Sequence, residues 1–173
     1  MKIPLKLIGV LSLTMISLAV AEEADKVNVQ LAMANKVNPE GLALWDVTNN
    51  AMDDDGYLDP KKLTAEKWAQ LLEIGQSLEQ TGKMMASGKE FIAAAPGTKL
   101  QDESPNSFSA ADVQRFIDAK PDLFREKAQV LSKTGTEVIA AAKTHDVKKL
   151  DEIANSLDGV CESCHQNFWY PQQ

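Results

Sequence analysis

Beyond Cys161 and Cys164 the chain has no cysteine, so there is no disulfide framework to staple a small fold. A bridge between those two alone would close a tiny loop and constrain little. Histidine is as scarce, occurring only at His145 and His165, and arginine occurs only at Arg115 and Arg125. Runs of alternating β-branched residues are missing and glycine amounts to 9 of 173 residues, which leaves little support for a sheet-based fold. No carboxylate pair or nucleophile constellation points to turnover of an organic substrate, so the expectation is a protein that is not an enzyme. Basic charge is also in deficit, with 18 Lys and Arg against 25 Asp and Glu. An acidic surface disfavours nucleic acid and anionic lipid and suits a partner with a basic docking patch, although most of this charge reads as solvated surface.

What is present begins with an N-terminal leader. Lys2 and Lys6 form a charged start, Leu7 to Leu18 is mostly apolar, and Ala19-Val20-Ala21 offers a small-x-small cleavage site before Glu22-Glu23. The apolar stretch is short for a membrane span, which needs roughly 20 apolar residues. Residues 1–21 therefore read as a cleaved signal peptide, and 22–173 as one exported domain. Removing Lys2 and Lys6 from the 18 basic residues leaves 16 against 25 acidic, a formal charge of −9 for the remainder.

Apolar spacing predicts four long helices. The first runs from about Asp25 to Met52, interrupted near Asn38-Pro39, with Asn38 as an N-cap, Pro39 in the first turn, and Leu42, Trp45 and Met52 on one face. The second starts at the N-cap Thr64 and carries Trp68, Leu71, Gly75, Leu78, Gly82, Met85 and Ile92 at steps of three and four until Pro96-Gly97. A polar linker, Thr98 to Ser109, and a short helical turn, Ala110 to Ala119, follow. The third helix starts near Pro121 with Phe124, Ala128, Leu131, Gly135, Val138 and Ala142 as its seam. Asp146 caps the fourth, whose seam is Leu150, Ile153, Leu157, Val160 and Cys164. An all-α, antiparallel four-helix bundle follows from this pattern.

The most specific feature lies on that last helix. Cys161-Glu162-Ser163-Cys164-His165 is a C-x-x-C-H pentapeptide, the attachment signature for a c-type haem. The two thiols are spaced to form thioethers with the two vinyl groups of one haem, and the next histidine can ligate the iron. A thioredoxin-like dithiol would open a helix after a strand, and none precedes it. A zinc site needs four ligands, and only His145 remains to add to the motif. Trp45, Trp68 and Trp169 read as core or haem-edge residues, Met84 and Met85 as packing, and His145 as a surface residue. Arg115 and Arg125 could each face a propionate or a surface carboxylate.

A leader peptide, four amphipathic helices and a C-x-x-C-H close to the C-terminus resemble the class II c-type cytochromes, the cytochrome c prime family. The likeness is strongest from Pro121 to Pro171 and includes the tail Phe168-Trp169-Tyr170-Pro171, which is similar to a subgroup ending in aromatic-Trp-Tyr-Pro. Met33, Asn38-Pro39 and Trp45 in the first helix also look similar to that subgroup. The likeness spans essentially the whole exported chain, but its specific motifs sit in the C-terminal third. The resemblance implies one covalent haem c held by Cys161, Cys164 and His165, a distal residue from the first helix, and one-electron transfer with periplasmic redox proteins. Met33 is the residue it implies as sixth ligand, against Met33 as plain core packing. An open sixth position would instead suit a small gas such as nitric oxide. Family members often dimerise through the first two helices, so a homodimer is among the assemblies it implies. Many members have a basic residue where this chain has Phe168-Trp169-Tyr170, so their propionate contacts do not carry over.

Overall fold

The computed structural model describes residues 26–100 and 108–170. The predicted leader, residues 1–21, lies outside them, as do most of the polar linker and Pro171. The described chain is mostly helical. It starts with a strand, β1 (Lys26–Asn28), and the short helix α1 (Val29–Ala32), followed by a π-helical stretch, Met33–Val37, and α2 (Asn38–Asn49). A 3-10 turn at Pro60–Lys62 leads to α3 (Ala65–Ser87) and a second strand, β2 (Glu90–Ile92). Then come α4 (Ala110–Ala119), α5 (Pro121–Thr144) and α6 (Val147–Phe168). Among the described residues no helix is long and apolar enough to cross a membrane.

Helix boundaries follow local chemistry. Thr64 and Asp146 cap α3 and α6, their side chains accepting from the Lys67 and Lys149 amides. Ser109 and Asp112 close α4 with a reciprocal capping box. Pro121 opens α5, where its missing N–H costs nothing. His145 ends α5 in the left-handed region, φ 53°, and its exposed ring stacks on Trp68 at 4.9 Å.

The predicted seams of α3, α5 and the first half of α6 are buried as read: Leu71, Leu78 and Met85, then Phe124, Ala128 and Val138, then Leu150, Ile153 and Leu157. The α3–α5 pair forms the closest packing in the molecule, and glycine makes it so. A Cβ on Gly135 would lie 2.3 Å from the Glu79 amide nitrogen, and one on Gly82 would lie 2.5 Å from that of Ser132. The two backbones touch where any larger residue would push them apart. Trp45 ties α2 to α6 by donating from Nε1 to the Ala154 carbonyl at 3.1 Å.

Four expectations need correction. Asn38 is not an N-cap: it is itself helical, and its N–H donates to the Met33 carbonyl across a π-turn. The chain thus runs through Pro39 by shifting its hydrogen-bond register, since proline lacks an N–H to give, and the N-cap moves back to Asn28, which accepts from the Leu31 amide. Leu42 is 56% exposed, because α2 turns Gly41, Leu44, Val47 and Thr48 inward. The second helix stops at Ser87, and Ile92 is in a strand rather than on its seam. That strand, β2, pairs in parallel with β1, Val27 opposite Phe91, so the chain is not helical throughout. Gly88 permits the pairing, because a Cβ there would sit 2.7 Å from Val27 Cγ2.

Candidate functional site

Cys161, Cys164 and His165 lie on α6, about four to five turns beyond its capped start, and all three are half-buried. Their inward sides line a cavity system. The larger cavity, of about 270 Å³, runs between α6, α1, the π-helical stretch, α4 and α5. A smaller one, of about 40 Å³, is walled by Cys161, Val37, Ala128 and Val160. Met33, Met85, Phe124, Cys164 and His165 border both. The site residues read from the sequence are thus gathered in one place: the motif on α6, and Met33 facing it from the first turn of the π-helical stretch. Met33 and Val37, four residues apart, share the cavity side of that stretch. Met52 is elsewhere, bridged to Leu58, and Met84 is exposed.

Reading the sequence missed several walls. Met85 was assigned to packing and is 3% exposed, yet it borders both cavities. Phe124 does the same from α5 and meets Phe91 tilted at 4.6 Å and Phe168 edge-to-face at 5.3 Å, an aromatic cluster joining β2, α5 and α6. Val113 and Ile117, one turn apart on α4, complete the wall; their i, i+4 spacing between charged residues was the available signal. Trp169 lines the larger cavity, whereas Trp45 and Trp68 do not. Gln114 fixes α4 to β2, donating to the Phe91 carbonyl at 2.9 Å and accepting from the Ala93 amide at 2.8 Å.

The electrostatics separate the alternatives. Burial, with Asp158 nearby, raises the Cys161 pKa, and burial pushes Cys164 up to about 11. A working dithiol needs a lowered thiol pKa, so these cysteines are poorly suited to disulfide exchange. Burial lowers the His165 pKa, which keeps the imidazole neutral and able to donate a lone pair. Among the described residues no cluster of three or more His, Cys, Asp or Glu side chains could hold a bare metal ion. His145 caps α5 just before the far end of α6, roughly 24–30 Å from the motif at 1.5 Å per residue. Both arginines are engaged elsewhere: Arg115 with Asp112, and Arg125 with Asp122 at 3.0 Å and the Gly88 carbonyl at 3.1 Å.

The residues present fit a haem. Cys164 and the neutral His165 imidazole line a largely apolar cavity just below the roughly 300–1,000 Å³ usual for bound small molecules, and Cys161 lines the smaller cavity, which shares Met33, Met85 and Phe124 with it. A thioether sulfur stands among the opposite walls. No protein-family model, curated protein or solved structure matches the chain.

Proposed function

We propose that this chain is an exported, periplasmic monohaem c-type cytochrome of the class II, cytochrome c prime type, a four-helix bundle that transfers single electrons. The observation that carries the reading is the placement of Cys161, Cys164 and His165 against an apolar cavity that Met33 borders from another helix. In this reading α2, α3, α5 and α6 are the bundle, with α4 and the β1–β2 ribbon as additions at the cavity end.

Cys161 and Cys164 would hold the cofactor through thioethers, and His165 would ligate its iron from α6. When bound, the haem supplies one-electron cycling between ferric and ferrous iron. Met33 would offer its thioether as the sixth ligand, a soft donor that raises the potential. Phe124, Phe168 and the α4 wall exclude water and keep the surroundings of low dielectric. The acidic surface would meet a basic face on a periplasmic redox partner.

Expression with a cytochrome c maturation system, followed by a haem-stained denaturing gel, tests the reading. A stained band at the chain's mass supports it, and a protein that never stains would sink it. Carbon monoxide titration of the reduced protein then distinguishes the carrier, which resists the ligand, from a gas-binding protein with an open sixth position, which takes it up readily.

A further inference from the structure

We propose that Tyr170, tethered to Glu162, is a positioning residue for the His165 imidazole and fixes the plane in which the ring meets the iron. This rests on the haem reading above. A ligating histidine is usually oriented by a hydrogen bond from its second ring nitrogen to a carboxylate, carbonyl or water. Here, among the described residues, neither ring nitrogen of His165 has a hydrogen-bond partner. Its own torsion cannot supply the orientation, because the last side-chain torsion of histidine is broad and nearly two-fold.

The tail does so instead. The His165 carbonyl accepts from two amides, Trp169 at 2.8 Å and Tyr170 at 3.0 Å, which ends α6 and folds the chain back over its last turn. The Tyr170 ring meets the imidazole edge-on, with centroids 5.8 Å apart and planes at 66°. Trp169 flanks it at 6.5 Å. The Tyr170 hydroxyl donates to Glu162 Oε2, eight residues earlier. Glu162 is itself held, its other oxygen accepting from Gln166 Nε2 at 2.7 Å. Glu162, His165 and Gln166 fall at i, i+3 and i+4, so anchor and ligand share one helix face. The tether converts an exposed, rotatable tyrosine into a fixed wall beside the ring.

Contact-shifted haem methyl resonances of the ferric protein test this, because their order and spread follow the orientation of the axial imidazole. Tyr170→Ala and Glu162→Ala should reorder them and shift the midpoint potential. Glu162→Gln, which keeps an acceptor for the hydroxyl, should retain the wild-type order. Unchanged resonances in both alanine variants would overturn the proposal, even if their melting temperatures fell, since the tail would then be a helix cap only. Equal changes in Glu162→Gln and Glu162→Ala would overturn it too, by making charge rather than the tether responsible. A wild-type chain that carries no covalent haem defeats the functional reading itself, and is seen on the stained gel before any variant is compared.

Discussion

Adding one methyl group at Gly135 is expected to destabilise the molecule, although alanine is the better helix former. The gain in helix propensity is about 1 kcal/mol. Against it, the new Cβ would stand 2.3 Å from the Glu79 nitrogen, 2.7 Å from the Gly75 oxygen and 2.8 Å from the Glu79 Cα. All three are backbone atoms, so no side chain can swing aside, and α3 must retreat from α5 by an ångström or more. Overpacking of this kind costs about 1–3 kcal/mol, and a backbone clash belongs at the upper end. The net loss is then about 2 kcal/mol. In a domain of this size each kcal/mol moves the melting temperature by roughly 2–4 °C, so Gly135→Ala should melt about 4–8 °C below wild type. Gly159 is the internal control. It lies on the exposed side of α6 with nothing within 4 Å of its would-be Cβ, so Gly159→Ala should stabilise by about 0.5–1 kcal/mol. Thermal and urea unfolding of the two variants should move in opposite directions. A Gly135→Ala protein as stable as wild type would refute the close α3–α5 approach.

Met33→Ala should convert a six-coordinate ferric spectrum to a high-spin one, and an unchanged spectrum would remove Met33 from the iron. Asp112 accepts from the Ser109 amide and hydroxyl and pairs with Arg115, which holds its pKa down to about 2 from the usual 3.8. Because the folded value is the lower one, the stability it contributes is present above pH 3.8 and is lost as pH falls toward 2. The melting-temperature gap between wild type and Asp112→Asn should therefore close over that window; a gap that persists to pH 2 would contradict it. Gln114→Ala would leave the Ala93 amide, on a residue 3% exposed, without its acceptor, a loss of about 1–3 kcal/mol. Urea unfolding should register that loss and amide exchange at Ala93 should quicken; slow exchange with unchanged stability would show that α4 does not depend on this clamp.

The long helices were legible because their signals are redundant. On α5, Pro121 sets the start and Phe124, Ala128, Leu131, Gly135, Val138 and Ala142 repeat with one period. Asp146 and the motif fix α6 in the same way. The first helix was harder, since a proline after a capping-type residue reads as a helix start, whereas a π-turn that lets the helix run through it is a matter of register with no residue signature. Leu42 misleads for another reason: Leu42, Leu44, Trp45 and Val47 put apolar residues on several faces of α2, and only packing selects Leu44 and Val47. The β1–β2 ribbon pairs segments more than sixty residues apart, and three-residue strands carry no readable alternation. At the site, Cys161, Cys164 and His165 announced themselves by spacing. Met85, Phe124, Val113 and Ile117 look like any core residue in sequence, and only the packing makes them cavity walls.

The central claim is that this chain carries one haem through Cys161 and Cys164. Intact and peptide-level mass spectrometry of protein matured in a cytochrome c-competent periplasm tests it directly. The expected result is one added haem mass per chain, localised to the peptide spanning Cys161 to His165 and abolished when both cysteines are replaced by serine. A chain recovered at its bare polypeptide mass under those conditions would contradict the account.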